Sequence, residues 1–463
     1  MKKLSNYILA ITSLFIINPL LAQKQTPPAG GTPKDFKLPE KKERKWANGL
    51  KTTMVQYGDI PKVDISLIIK TGNVHEGANQ VWLADLTGDM MKQGTKDMDF
   101  KTLSQKVAAM GGEVNINVGP DQTTISGSVL SEYAPDFIKV IADMVMNPAF
   151  PASELNRLKA DLKRQLTVQK AVPQMQAREK FMQAVYKNSP YGRLFPTEDM
   201  LNSYTLAMVK DFYNKNFGAK RSVLYVVGQY DEAAVNAAVN NAFSKWKAGP
   251  DVQYPSVTTA ATADTLIVDR KAAPQTTIFL GLPTITPKNT DYVSAIVTNS
   301  LLGGSFGSRI TSNIRENKGY TYSPYSALQN RKGGSLWMEQ ADVTSEHTID
   351  ALKEIEKEIK RLQNEPPTKE ELQGIQNYEA GIFVLRNSSP GGIIGQLNFL
   401  DQYGLPDSYL TNLVKNIYQV TPAKVSEVAK KYFPYEKMTL VMVGDKGAIQ
   451  KQTNQQKENK KSF

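Results

Sequence analysis

Cysteine is absent from this 463-residue chain. Disulfides, thiol nucleophiles and thiolate metal ligands are therefore excluded together, and the fold must be held by apolar cores alone. Histidine is nearly absent, with His75 and His347 the only two, 272 positions apart. A catalytic zinc normally draws three protein ligands from His, Glu, Asp or Cys, and this composition does not supply the usual set. Long apolar runs are missing after Tyr7 to Leu21, so no later segment is expected to cross a membrane. A concentrated basic patch is missing as well. The net charge of +11 is scattered along the chain and falls to +9 without Lys2 and Lys3, which reads as a solvated surface with no nucleic-acid footprint.

What is present is enough for sizeable cores: 41% of the residues are hydrophobic, and the length implies more than one domain. Lys2 and Lys3 ahead of the first apolar run, with a cleavage point after Ala22, predict a secretory signal peptide over 1–22 and an exported, periplasmic chain. An uncleaved anchor is the alternative, against which the run falls short of the ~20 residues that span a bilayer. Residues 23–43 are rich in Pro, Gly and Lys and read as a disordered linker. Beyond it, "DISLIIKTG" reads as a buried strand, "QVWLADLTGDMMKQG" as a helix, and "EVNINV" and "TTISGSVL" as strands around a turn at Gly119 to Asp121.

The chain also repeats itself. "TLAMVKDFYNKNFGAKRSVLYVVG", from Thr205, aligns without a gap on "TPAKVSEVAKKYFPYEKMTLVMVG", from Thr421, at a constant offset of 216. Both read as an amphipathic helix, a turn and a β-rich run ending in Gly. The expected fold is α+β, with two homologous domains, each a mostly antiparallel sheet covered by helices on one face. Their expected bounds are 44–248 and 265–448, joined by a linker over 249–264 and followed by a disordered basic tail over 449–463.

Four further stretches, in this order and spacing, carry a resemblance that covers residues 44–445: "MGGEVNINVGPDQTTISGSVL" from Met110, "NPAFPASELNRLKADL" from Asn147, "NSPYGR" from Asn188 and "LLGGSFGSRITSNIRENKGYTYSPYS" from Leu301. The chain resembles the pitrilysin/insulinase-type zinc peptidases, whose inverted H-x-x-E-H motif lies on a helix of the first domain. Anchored on "KQGT", that motif falls on Asp85, Leu86, Thr87, Gly88 and Asp89. Both histidines are replaced, and the general-base glutamate becomes Gly88, which has no side chain to accept a proton. The last zinc ligand of the family is expected in "LKADLKRQLTVQ", which contains no Glu. No cofactor is expected in this chain. Asp85 and Asp89 share a helix face, and with His75 they offer a second way to hold a divalent ion. The competing reading is a solvated pair beside Lys92, with His347 at the polar start of a helix.

The second half keeps what the first has lost. In active relatives a later domain supplies an Arg and Tyr pair that reaches the scissile region of the substrate, and "IRENKGYTYS" matches it with Arg315 and Tyr322. A guanidinium can hold a peptide carbonyl, and a phenol can donate to a developing oxyanion. The glycine-rich loop ahead of the pair, with Gly303, Gly304 and Gly307, borders the substrate chamber in the family. The edge strand begun by Gly112, with Val114 and Asn115, matches the strand that pairs with substrate backbone. Two-domain members of the family form half of a clamshell chamber and pair with a second subunit. The resemblance therefore implies a non-catalytic subunit of a peptide-degrading heterodimer. Its partner would be a homologue bearing H-x-x-E-H and zinc, and its substrates would be peptides. A stand-alone peptide-binding or scaffold protein is the alternative, and a homodimer stays open.

Overall fold

The computed structural model describes residues 36–260 and 263–461. The signal peptide expected over 1–22 and the start of the linker lie outside the described residues. Among the described residues, eleven strands form two sheets. The first contains β1 (Lys41–Lys45), β2 (Lys51–Gln56), β3 (Lys62–Ile69), β4 (Glu113–Val118), β5 (Thr123–Leu130) and β6 (Ser222–Gly228), in the order β1-β2-β6-β3-β5-β4. The second contains β7 (Thr265–Asp269), β8 (Gln275–Thr284), β9 (Tyr325–Gln329), β10 (Ser335–Thr344) and β11 (Thr439–Gly444), in the order β7-β11-β8-β10-β9.

With β1 set aside, the two sheets have one topology. β2 runs parallel to β6 as β7 does to β11, and every other pairing is antiparallel. The repeated segment sits at equivalent places in both. Thr205 caps the helix Leu206–Asn216 by accepting from the Met208 N–H, and Thr421 caps the helix Pro422–Tyr432 by accepting from the Lys424 N–H. Each helix then leads through a short turn to the strand that ends in Gly228 or Gly444.

Why these strands read as continuous apolar runs becomes clear from their faces. Along β6, Leu224 and Val226 enter the core of the first lobe, while Val223, Tyr225 and Val227 pack against Ile393, Ile394 and Leu397 of the helix Pro390–Tyr403. Along β11, Met442 enters the core of the second lobe, while Val441 and Val443 pack against Phe181 and Val185 of the helix Pro173–Tyr186. Each lobe thus lends one helix to the outer face of the other lobe's sheet. The central strands β6 and β11 are buried on both faces, which is why the alternation expected of a half-exposed strand is missing from them. Tyr225 donates to Asp401 across one of these seams, and the Tyr186 hydroxyl donates to the Gly334 carbonyl (2.7 Å) across the other.

Two expectations are corrected. The linker was to run to Glu43, but β1 begins at Lys41; it is held by main-chain pairing to β2 and by ion pairs from Lys41 to Asp407 (2.8 Å) and from Lys42 to Glu232 (2.5 Å), which leave no apolar trace in the sequence. The tail expected to be disordered from 449 lies in the helix Lys446–Lys461. Asp445 caps that helix by accepting from the Ala448 N–H, Ile449 is buried, and the Gln452 side chain bonds the Ser345 carbonyl and the Ile349 N–H. Between the lobes, residues 249–260 form neither helix nor strand, and Tyr254 and Val257 pack against the core around Phe181. No helix among the described residues is long and apolar enough to cross a membrane.

Candidate functional site

The helix Leu83–Met91 carries the five positions aligned with H-x-x-E-H. It is started by Trp82 in a left-handed conformation (φ 69°) and by Glu76, whose carboxyl oxygens accept from the Ala84 N–H (2.8 Å), the Trp82 N–H (3.2 Å) and the Asn73 amide (3.1 Å). The Trp82 and Ala84 N–H groups stand at the helix start, where the helix itself cannot satisfy them. Leu86, Thr87 and Gly88 face inward, and Thr87 returns its hydroxyl to the Leu83 carbonyl (2.8 Å). Gly88 is closed off as well as bare: a Cβ built there would lie 2.8 Å from Val118 Cγ2 and 3.5 Å from Ile116 Cγ2, because β4 lies directly on the helix. A side chain at this position requires Val118 to shift.

Asp85 and Asp89 share a face, as their spacing predicts, but each is already engaged. Asp85 accepts from the Asn73 amide (2.6 Å), and Asp89 pairs with Lys92 (2.9 Å). His75 turns elsewhere, its Nδ1 accepting from the Gly72 N–H (3.2 Å) and its ring lying 5.4 Å from that of Tyr254. Among the described residues no group of three or more His, Cys, Asp or Glu could hold a metal ion. The residues of this helix do not fit zinc.

The same corner contains displaced titrations. Burial, and secondarily the Asp85 charge, push the Glu76 carboxyl from an ordinary 4.5 up to about 8, and burial pushes Asp85 from 3.8 up to about 6. Burial and the Arg221 charge push His75 from 6.5 down to about 4. A carboxyl with a raised pKa holds its proton more tightly in the folded chain, so its contribution falls as pH rises from the unfolded value to the folded one; a histidine with a lowered pKa does the reverse. The two carboxyls and the histidine oppose each other between about pH 4 and 6.5, and from 6.5 to about 8 Glu76 is the one of the three still titrating. The denaturant midpoint of the wild type is expected to fall between pH 6.5 and 8. In Glu76→Gln the midpoint is expected to be lower throughout and the fall to flatten; an unchanged slope in that variant would contradict the assignment.

In the second lobe, the structure brings together residues that lie apart in sequence. The helix Tyr292–Asn299 widens into a π turn at Ser300–Gly304, and a second wide turn spans Thr311–Asn317. Turns of this kind are often found at functional positions. Gly303 and Gly304 are needed for packing. A Cβ on Gly303 would fall 2.6 Å from Ser326 Oγ and 2.7 Å from Glu339 Oε2, and one on Gly304 would fall 2.3 Å from the Asn299 amide nitrogen. Asn299 Oδ1 accepts from Ser326 Oγ (2.9 Å) and from the Trp337 indole (2.8 Å), which fixes the turn to β9 and β10. Gly307, by contrast, has open space around its Cα.

Phe306, next to Gly307, was missed by sequence reasoning although it stands in the quoted loop. It is 67% exposed, and its ring lies 4.4 Å from the Arg315 guanidinium, which also lies 4.8 Å from the ring of Tyr322. Arg315 is therefore held between two aromatic faces and is further anchored by Glu316 (3.1 Å). Tyr322 is 78% exposed and outside any strand, so its hydroxyl is presented to solvent. Arg309 ties the loop down through a bidentate pair with Glu371 (2.7 and 2.9 Å) on the helix Lys369–Arg386. Glu339, also missed, is buried beneath Gly303 with neither oxygen in hydrogen-bond geometry, and burial holds its carboxyl well above the usual range.

The remaining candidates lie at the edge of the first sheet. β4 pairs with β5 on one side and has no strand partner on the other among the described residues. Gly112 leads into it, at a point where a Cβ would meet the Ser128 carbonyl at 2.1 Å; Val114 is half-buried and Asn115 exposed.

Two lobes of one topology, a closed-off catalytic helix in the first and an exposed Arg–aromatic cluster in the second, define a peptidase-fold protein without the hydrolytic residues. The chain belongs to peptidase family M16: the family model for insulinase (peptidase family M16) matches residues 54–196, and that for the peptidase M16 inactive domain matches 203–378. An uncharacterized zinc protease, YmxG, of Bacillus subtilis is 22% identical over 417 residues, 86% of this chain and 97% of its own length. A protein of Helicobacter pylori named as a non-peptidase homolog is 22% identical over 397 residues, 84% of this chain and 90% of its own. A crystal structure described as a peptidase M16 inactive domain from Pseudomonas fluorescens superposes with a TM-score of 0.80 at 25% identity, covering 88% of this chain and 98% of that one. The first half of the periplasmic protease PqqL of Escherichia coli shares the fold, with a TM-score of 0.71 at 16% identity over 90% of this chain and 95% of that one.

Proposed function

We propose that this chain is the exported, non-catalytic subunit of a peptide-degrading heterodimer, and that a homologous subunit with an intact H-x-x-E-H supplies the zinc and the general base. The observation that carries this reading is a contrast within one chain. The helix that would hydrolyse carries a bare Gly88 packed against the Val118 and Ile116 side chains of β4, whereas the groups that assist another residue's reaction, Arg315 and Tyr322, stand together near the surface. In the pair, Arg315 would grip a substrate carbonyl and the Tyr322 hydroxyl would donate to the oxyanion as it forms. Phe306 would keep the guanidinium in place, and Gly307 would let the chain of a peptide approach the loop. The outer edge of β4, from Gly112 through Val114 and Asn115, would take peptide backbone by β-addition. The domain bounds for this role are 41–248, starting with β1, and 265–461, ending with the helix Lys446–Lys461.

Purification of the native protein from its own cell envelope tests this directly. A homologous zinc-bearing subunit in stoichiometric amount is the expected companion. Recovery of the chain alone or as a homodimer, still binding peptides, would replace the heterodimer with a stand-alone peptide-binding protein.

A further inference from the structure

A cavity of about 700 Å³ opens between the segment around His75, the end of the helix Leu206–Asn216 and the chain at Pro250–Pro255. No part of the proposed peptidase role uses it. Its polar lining is unbalanced in charge and in hydrogen bonding.

Arg221 is 2% exposed. Its Nη1 donates to Asn216 Oδ1 (3.4 Å) and its Nη2 to the Lys70 carbonyl (3.2 Å), both neutral acceptors, and its Nε has no partner. Among the described residues no carboxylate pairs with this guanidinium, although a buried charge is normally matched by one. His75 adds a second unmatched donor. Its Nδ1 accepts from the Gly72 N–H, which places the imidazole proton on Nε2, and Nε2 is buried with no acceptor in hydrogen-bond geometry, the Gln253 backbone being the nearby candidate. Arg193, whose Nη2 donates to the Glu76 carbonyl (3.2 Å), and Lys215, which pairs with Asp211 (2.7 Å), line the same wall. Asp251 in the lining is paired with Lys220 (3.5 Å), and the Glu76 carboxyl is turned into the start of its helix.

We propose that this cavity binds a phosphate-class oxyanion, free or as the phosphoryl head of a larger molecule, with Arg221 and His75 Nε2–H as its inner donors and Arg193 and Lys215 as its outer cations. Such a ligand supplies acceptors to both unmatched donors and negative charge to the buried guanidinium. Two guanidinium groups, Arg221 and Arg193, without a carboxylate partner among the described residues suit a dianion better than a single carboxylate. The cavity volume is in the range of small-molecule sites.

The two histidines make the test selective. In the full chain labelled with ¹⁵N-histidine, inorganic phosphate added at constant ionic strength against potassium chloride should shift the His75 imidazole signals saturably. His347, stacked on Tyr320 in the other lobe at 4.4 Å, should stay still. The melting temperature should climb with the logarithm of phosphate concentration once binding saturates. Arg193→Gln and Lys215→Gln, each at the cavity rim, should weaken the apparent affinity by about tenfold per charge removed, and they keep the test open if Arg221→Gln does not fold. Co-sedimentation with anionic phospholipid vesicles, competed by phosphate, would identify a lipid headgroup as the source; phosphate binding without co-sedimentation would identify a free ligand. A His75 signal that ignores phosphate, or that moves equally with chloride, means water and screening ions alone occupy the cavity and overturns the proposal.

Discussion

Tyr322→Phe in the assembled heterodimer is expected to lower turnover by at least ~10-fold while leaving assembly and peptide affinity nearly unchanged. Removing a single oxyanion donor from an enclosed site typically costs ~10²–10³ in rate. Tyr322 is 78% exposed, so its donor works partly against water and the smaller figure is the appropriate one. The phenol ring itself remains in the variant, and with it the contact to Arg315 at 4.8 Å, which separates the hydroxyl's role from packing. Arg315→Ala should behave differently. A guanidinium that grips a carbonyl contributes before the transition state as well as in it, so both KM and kcat should worsen. If Tyr322 were present for packing alone, its conversion to Phe would change stability slightly and leave the rate alone. Equal steady-state kinetics for wild type and Tyr322→Phe, in a complex shown to be assembled, would remove this residue from the mechanism.

Gly88→Glu is expected to unfold part of the first lobe and to restore no activity, even when Asp85→His and Asp89→His accompany it. The Cβ alone would stand 2.8 Å from Val118 Cγ2, and overpacking of this kind costs about 1–3 kcal/mol. The carboxylate would add the cost of burying a charge beside Ile116 and Val118. Displacement of β4 would also weaken the edge to which peptide backbone is proposed to add. The chemical denaturation midpoint and zinc content of the variants read this directly: a stable, zinc-loaded triple variant would show that the helix has kept its metal pocket. The loss of the motif and the approach of β4 would then be unconnected.

How much of this was legible beforehand differs by region. The repeat was legible because Thr205 and Thr421 are both helix caps followed at one spacing by buried strands, so the same local physics left the same letters. β4 and β5 were legible through alternation and the turn between them. The exchange of helices between lobes was not. Periodicity shows that the helices Pro173–Tyr186 and Pro390–Tyr403 have apolar faces, but not which sheet those faces meet. β1 was hidden because ion pairs and main-chain bonds hold it, and the tail helix because one buried residue, Ile449, and a cap anchor an otherwise polar segment. At the site, Arg315 and Tyr322 were reached through the family resemblance carried by "IRENKGYTYS". Phe306 needed coordinates to join them, although an aromatic residue flanked by Ser and Gly in a solvent-facing loop is itself a signal. The empty motif was plain in the sequence. That the Val118 and Ile116 side chains of β4 pack against Gly88 could be learned only from the structure.

The most direct measurement of the central claim is peptide turnover by the purified zinc-bearing homologue from the same envelope, recorded as this chain is titrated in. The expected result is negligible cleavage by either protein alone and activity that rises to a plateau at one chain per homologue, with Tyr322→Phe reaching the same stoichiometry at a lower plateau. Cleavage by this chain alone that a chelator abolishes, or a homologue fully active by itself and indifferent to the addition, would contradict the account.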